Sequence, residues 1–145
     1  MQIWIDADAC PNPIKTIICR VAIRRQIFTI FVANQWLTLP KSAYIKMQQV
    51  AKGYDIADLV IVEHVQPNDL VITADIPLAA EVLNKQAKVL TPRGQNYTLD
   101  TIKEILTMRD FMETMRASGI QTGGQAPFSS KDRENFANQL NKFIS

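Results

Sequence analysis

Three aspartates and a threonine stand where an α/β protein keeps its chemistry. Asp6 and Asp8 follow the apolar run Ile3-Trp4-Ile5, and Thr73 and Asp75 follow Leu70-Val71-Ile72. Each run has the length of a buried strand. Each is followed by a proline suited to a first helical turn, Pro13 and Pro77. In open α/β sheets, ligands sit beyond the carboxyl ends of the strands, where the strand order reverses. The first and fourth strands of a five-stranded parallel sheet are neighbours at that point, so Asp6 and Asp75 are expected to face each other. Carboxylates crowded at a strand end are costly unless a cation neutralises them. The expectation is a hard divalent ion, Mg²⁺ or Mn²⁺, held by Asp6, Asp8 and Asp75, with Thr73 adding a hydroxyl. Such an ion activates water and clamps a phosphoryl oxygen in nucleases and phosphatases. The plainer alternative makes Asp75 only the N-cap of the helix that begins near Pro77.

Other candidates are weaker. Asp55 reads as a helix cap and Asp58 as a mid-helix acid among apolar residues, three apart and so on one face. Facing the acidic cluster would give Asp58 a reason. Arg93, beside Gly94, could reach a phosphate at the same edge or be a surface arginine. Gly123-Gly124 could form an anion-binding nest, a lid or a plain connection. Cys10 stands at a helix start, but adjacent carboxylates oppose a thiolate, so it reads as a packing residue. His64 has no partner in the sequence pattern and reads as surface or core. Asp6-x-Asp8 is also the opening of haloacid-dehalogenase phosphatases. That chemistry needs a lysine between the threonine strand and the later acids, and Thr73 and Asp75 are only two apart.

The elements that must position these residues follow from periodicity. Residues 2–6 and 27–33 read as strands. Between them Ile14, Ile17, Ile18, Val21 and Ala22 recur at helical spacing after Asn12 as cap. A longer loop with Trp36 and Pro40 runs from Asn34 to Ser42. Residues 44–51 alternate and read as a strand. A helix is expected from Asp55 to about Val65, a turn at 67–69, a strand at 70–73, a helix at 78–86 and a strand at 87–90. A long amphipathic helix starts at Thr98, with Ile102, Phe111, Met112 and Met115 on or near its apolar stripe. Ser130 caps a last helix holding Phe136, Leu140 and Phe143. Strand–helix alternation of this kind makes a three-layer α/β fold, with a mainly parallel sheet of about five strands and helices on both faces.

Totals bound the rest. At 145 residues the chain is expected to be one domain, 1–145, with a C-terminal helical extension at about 119–145. It is 47% hydrophobic and 21% charged, ordinary for a globular chain, with no apolar run of membrane-spanning length. No signal peptide is expected, and two cysteines make no disulfide framework, so a cytoplasmic setting fits. The net charge of +2 hides an asymmetry. Residues 1–52 hold seven Lys/Arg against two Asp/Glu, residues 53–100 three against seven, and residues 101–145 six against five. This is either ordinary solvated helix faces or a basic flank beside an acidic cleft, which suits a polyanionic substrate.

The strings Asp6-Ala7-Asp8-Ala9-Cys10-Pro11, Gly53-Tyr54-Asp55-Ile56-Ala57-Asp58, Asp69 to Ala79, Pro92-Arg93-Gly94 and Thr122-Gly123-Gly124 occur in this order. Together they resemble the YaiI/YqxD family of uncharacterised bacterial proteins, and the likeness covers nearly the whole chain. That family is grouped with PIN-like domains, whose nucleases place carboxylates after the first and fourth strands and use Mg²⁺ or Mn²⁺ to cut RNA. The resemblance implies that Asp6, Asp8 and Asp75 form the metal cluster, with Asp58 or Asp55 adding a further acid. Here Gln125 follows the double glycine, where the family often has proline. The function expected is a metal-dependent phosphodiesterase acting on RNA or another nucleic acid. The alternative is a non-catalytic nucleotide- or RNA-binding module.

Overall fold

In the computed structural model, described for residues 1–53, 56–117 and 127–144, the strand–helix alternation becomes a three-layer α/β fold. The strands are β1 (Ile3–Asp6), β2 (Thr29–Ala33), β3 (Ile45–Gln49), β4 (Leu70–Ile72), β5 (Lys88–Leu90) and β6 (Asn96–Tyr97). The helices are α1 (Asn12–Arg25), α2 (Ile56–His64), α3 (Ile76–Asn84), α4 (Leu99–Ala117) and α5 (Ser130–Ile144). The sheet order is β3-β2-β1-β4-β5-β6. All neighbours are parallel except β5 and β6, which are antiparallel.

Period-two alternation along the strands divides the core. Ile3, Ile5, Phe31, Ala33, Leu70, Ile72 and Leu90 face one side, where α1 contributes Ile14, Ile18, Val21 and Ala22. Trp4, Ile30, Val32, Val71 and Val89 face the other side, covered by α2, by Leu78, Ala79, Val82 and Leu83 of α3, and by Ile102 of α4. Because central strands are apolar on both faces, their ends are the places where polar groups meet solvent.

Three features of the structure go beyond the sequence expectation. A sixth strand exists because residues 91–95 make a tight turn, with Thr91 N–H donating to the Gln95 carbonyl and Gly94 N–H to that of Thr91. Gly94 sits at φ 87°, and a Cβ there would lie 2.7 Å from Asn135, so the turn needs glycine both for its backbone and for the approach of α5. Helix α1 takes Pro11 rather than Asn12 as its cap and closes on Gln26 in the left-handed conformation. Helix α5, expected as an extension, buries Phe136 and Leu140 in the core beside α1. The side chains of Phe111, Met112 and Met115 lie outside the described residues.

Candidate active site at the carboxyl edge of the sheet

Asp6 is the last residue of β1, and Thr73 and Asp75 follow directly on β4, its parallel neighbour. The register of Ile5 with Ile72 sets the two strand ends side by side. Thr73, 1% exposed, joins them. Its Oγ1–H donates to Asp6 Oδ2 at 3.0 Å, and the same oxygen accepts from the Asp75 backbone N–H at 3.0 Å. Asp75 caps α3 through its Oδ1, which accepts from Leu78 N–H at 2.9 Å. The capping role expected as an alternative is therefore present, and it occupies only one of the two carboxylate oxygens. Among the described residues, Asp6 Oδ1 and Asp75 Oδ2 take no hydrogen bond from the protein.

The electrostatics at Asp6 follow from this packing. Burial pushes its carboxyl above the usual carboxylate range. The Thr73 hydrogen bond opposes the rise, and the negative charges of Asp75 and Asp8 add to it. Cys10, packed behind the strand end, has its thiol pushed by burial to about 12, which suits the packing role and not a nucleophile.

Asp8 goes a different way. It lies exposed in the 3-10 turn Ala7–Ala9, and both of its carboxylate oxygens accept from the Asn34 backbone N–H, at 2.9 and 3.1 Å. Its charge still acts on Asp6. Asn34, just past the end of β2, is a residue that sequence reasoning missed. Its carbonyl accepts from Gln49 Nε2 at 3.1 Å, and its side-chain Oδ1 is a buried acceptor with no partner among the described residues. The signal was available: a polar residue directly after the apolar run Ile30-Phe31-Val32-Ala33, next to β1, has the same placement as Asp6.

The remaining candidates are dispersed. Asp58 lies in the first turn of α2, not mid-helix, half-buried, where the helix dipole favours an acid. Asp55, Gly123 and Gly124 lie outside the described residues. Arg93 pairs with Asp132 at 3.1 Å, in the first turn of α5. Asp132 also accepts from the N–H and hydroxyl of Ser129, so this arginine fastens α5 to the β5–β6 turn. His64 is exposed, with Nδ1 2.8 Å from the Val60 carbonyl.

Among the described residues, no three Asp, Glu, His or Cys side chains gather closely enough to hold a metal ion on their own. What the edge offers is a smaller donor set: two carboxylates, each with one oxygen unspent, one of which, the half-buried Asp6, has a raised affinity for a proton that a cation would reverse. That set fits Mg²⁺ or Mn²⁺ as hard ions that keep several waters and take one or two carboxylates. It does not suit zinc, which prefers nitrogen and sulfur donors.

Comparison with known proteins adds kinship. Residues 4–145 match the model of the uncharacterised YaiI/YqxD family. A UPF0178 protein of Yersinia enterocolitica is 58% identical over 144 residues, covering 99% of this chain and 95% of that one. UPF0178 proteins of Yersinia pestis and Yersinia pseudotuberculosis match to the same extent. No solved structure is significantly similar to the chain.

Proposed function

The chain belongs to the YaiI/YqxD family, and from that membership together with the geometry of the sheet edge we propose that it is a divalent-metal-dependent phosphodiesterase acting on nucleic acid, RNA first. The observation that carries this reading is the Thr73-bridged pair, Asp6 and Asp75, at the ends of adjacent parallel strands. A carboxyl group held half-buried beside two other negative charges is stored electrostatic tension, and such groups cluster at functional sites. Bound there, Mg²⁺ or Mn²⁺ would supply a polarising charge for water and for a phosphoryl oxygen. Asp6 and Asp75 would hold the ion, Thr73 would fix the direction of Asp6, and Asp8 would add negative charge from the neighbouring turn. The basic segment 1–52 would draw a polyanion toward the edge. The PIN-like grouping that the sequence resemblance implies supports RNA as substrate, at the level of fold analogy.

The test is cleavage of single-stranded RNA by the purified protein with Mn²⁺, with Asp6→Asn and Asp75→Asn alongside. Manganese-dependent products, reduced by roughly 100-fold or more in either variant, are expected for groups that hold a catalytic ion. Cleavage that persists undiminished in both variants rejects the assignment.

A second reading, a binding module without turnover, is favoured by one feature. Asp8 is turned to Asn34, and no three-ligand group is assembled among the described residues. It predicts nucleic-acid binding that survives in the double variant Asp6→Asn/Asp75→Asn, with no product from either form.

A further inference from the structure

The loop that leaves Asn34 carries a feature the acidic edge does not explain. Trp36 is 66% exposed, the most exposed large apolar side chain among the described residues. It stands two residues beyond Asn34, whose N–H holds Asp8. Two residues of chain span at most about 7 Å, so the indole is presented within a nucleotide's reach of the acidic edge. The presentation is anchored. The next apolar residues, Leu37 and Leu39, tuck against the core on the α1 side, and Pro40 stiffens the return. Trp36 thus faces outward from a fastened loop.

Cations stand on both sides of the loop that carries this indole. A hollow of about 490 Å³ on its β3 side is lined by Trp36, Lys41 and Met47. On the other side of the loop a hollow of about 500 Å³ separates Leu37 and Leu39 from Lys15 and Arg20 of α1. Residues 1–52 contain no acids other than Asp6 and Asp8. An aromatic platform beside cations, with acids confined to the edge, has the composition of a single-strand groove, where phosphates follow positive charge and bases stack on rings. A duplex hides its base faces and would leave the indole without a partner. A protein partner with an acidic apolar face is the competing occupant. It gives no reason for the platform to stand next to the carboxylate pair, and a strand of nucleic acid passing into that pair does.

We propose that Trp36 is a stacking platform for an unpaired base of single-stranded nucleic acid, with Lys41 and the α1 cations Lys15 and Arg20 taking the flanking phosphates. This rests on the nucleic-acid reading above and narrows it to single strands. Trp36 acts here by binding and positioning, not in the chemistry.

The experiment separates the two claims by measuring binding without divalent ions and cleavage with them. Full-length protein is titrated with a short fluorescent RNA, single-stranded or annealed to its complement, in EDTA at low salt. The wild type is compared with Trp36→Ala and Trp36→Phe. Expected are a preference for the single strand, weakening by about tenfold in Trp36→Ala, and near-recovery in Trp36→Phe, the loss being that of one stacked base. If cleavage occurs with Mn²⁺, Trp36→Ala raises KM and leaves kcat near the wild-type value. Equal affinity of wild type and Trp36→Ala for the single strand overturns the proposal, even where cleavage by the Asp6/Asp75 pair is demonstrated. Tight Trp36-dependent binding with no cleavage upholds it while removing the catalytic reading. Sedimentation showing a dimer that Trp36→Ala dissociates, with RNA affinity unchanged, assigns the indole to a protein contact and overturns the proposal.

Discussion

The pair of strands β1 and β4 carries an aspartate at each end, and the two acids are satisfied in opposite ways. At the amino end Asp69, 4% exposed, accepts from Gln2 N–H at 2.9 Å, from the Trp4 indole N–H at 3.2 Å and from Gln66 N–H at 2.9 Å. Three donors surround one carboxylate, with no other acid among them. At the carboxyl end Asp6 has one donor, Thr73, and two acids near enough to raise its proton affinity. Burial of a carboxylate is therefore not by itself a mark of a site. The informative difference is the balance of donors and neighbouring charges, which is complete at one end and deliberately short at the other. Asp69 is a clamp that ties the two strands where they start. Asp6 keeps a single donor and bears the charges of its neighbours.

Substitutions at the two ends sharpen this contrast. The largest effect is expected at the clamp. Asp69→Ala strands three donors and should cost roughly 3 kcal/mol, or on the order of 10 °C in melting temperature, measured by thermal unfolding. A loss no larger than that of a surface substitution would break the comparison. Next is Thr73→Val, which removes the hydroxyl shared by Asp6 and the Asp75 N–H. It should cost roughly 1–2 kcal/mol in denaturant unfolding, because a half-buried donor and acceptor both lose their partner. Thr73→Ser should restore most of that.

The smallest effect, and the most telling, is at Asp6, where the sign reverses. Its folded-state pKa lies above the ordinary 3.8, so the folded chain binds the proton more tightly than the unfolded one. Well below 3.8 the group is protonated in both states and its charge costs nothing. As pH rises through 3.8 the unfolded chain ionises first, and the fold loses stability until the raised value has been passed. Asp6→Asn keeps an acceptor for Thr73 and removes that cost. Its melting temperature should match the wild type in acid and exceed it at neutral pH. Manganese should raise the wild-type melting temperature and leave the variant unmoved. A variant less stable than wild type at neutral pH would place Asp6 with Asp69 as a structural acid.

Much of this architecture was legible before any coordinates. Apolar runs ending in acids marked β1 and β4, and their adjacency followed from the ordinary order of parallel sheets. Asp75 before Ile76-Pro77 announced a capped helix. The alternation of Ile45 and Met47 with Lys46 and Gln48 identified β3 despite its weak composition. What the sequence left open lies where one residue answers to a distant one. Arg93 looked available for a phosphate because nothing local pairs it, and its partner Asp132 is 39 residues away. Asp8 lies near enough for its charge to act on Asp6, but its carboxylate accepts from the backbone of Asn34, just past the end of β2.

Periodicity and turn chemistry are properties of neighbouring residues, so the chain alone determined its five parallel strands, its helices and the edge where its acids would lie. The spending of each oxygen and each guanidinium is a property of what folding brings alongside. Only the tertiary structure decided that Asp69 would be saturated, that Asp6 would share one hydroxyl with Asp75's backbone, and that the last helix would close the core rather than trail from it. Hydrogen bonds reach about 3 Å, and no local pattern specifies which backbone group will stand at that distance.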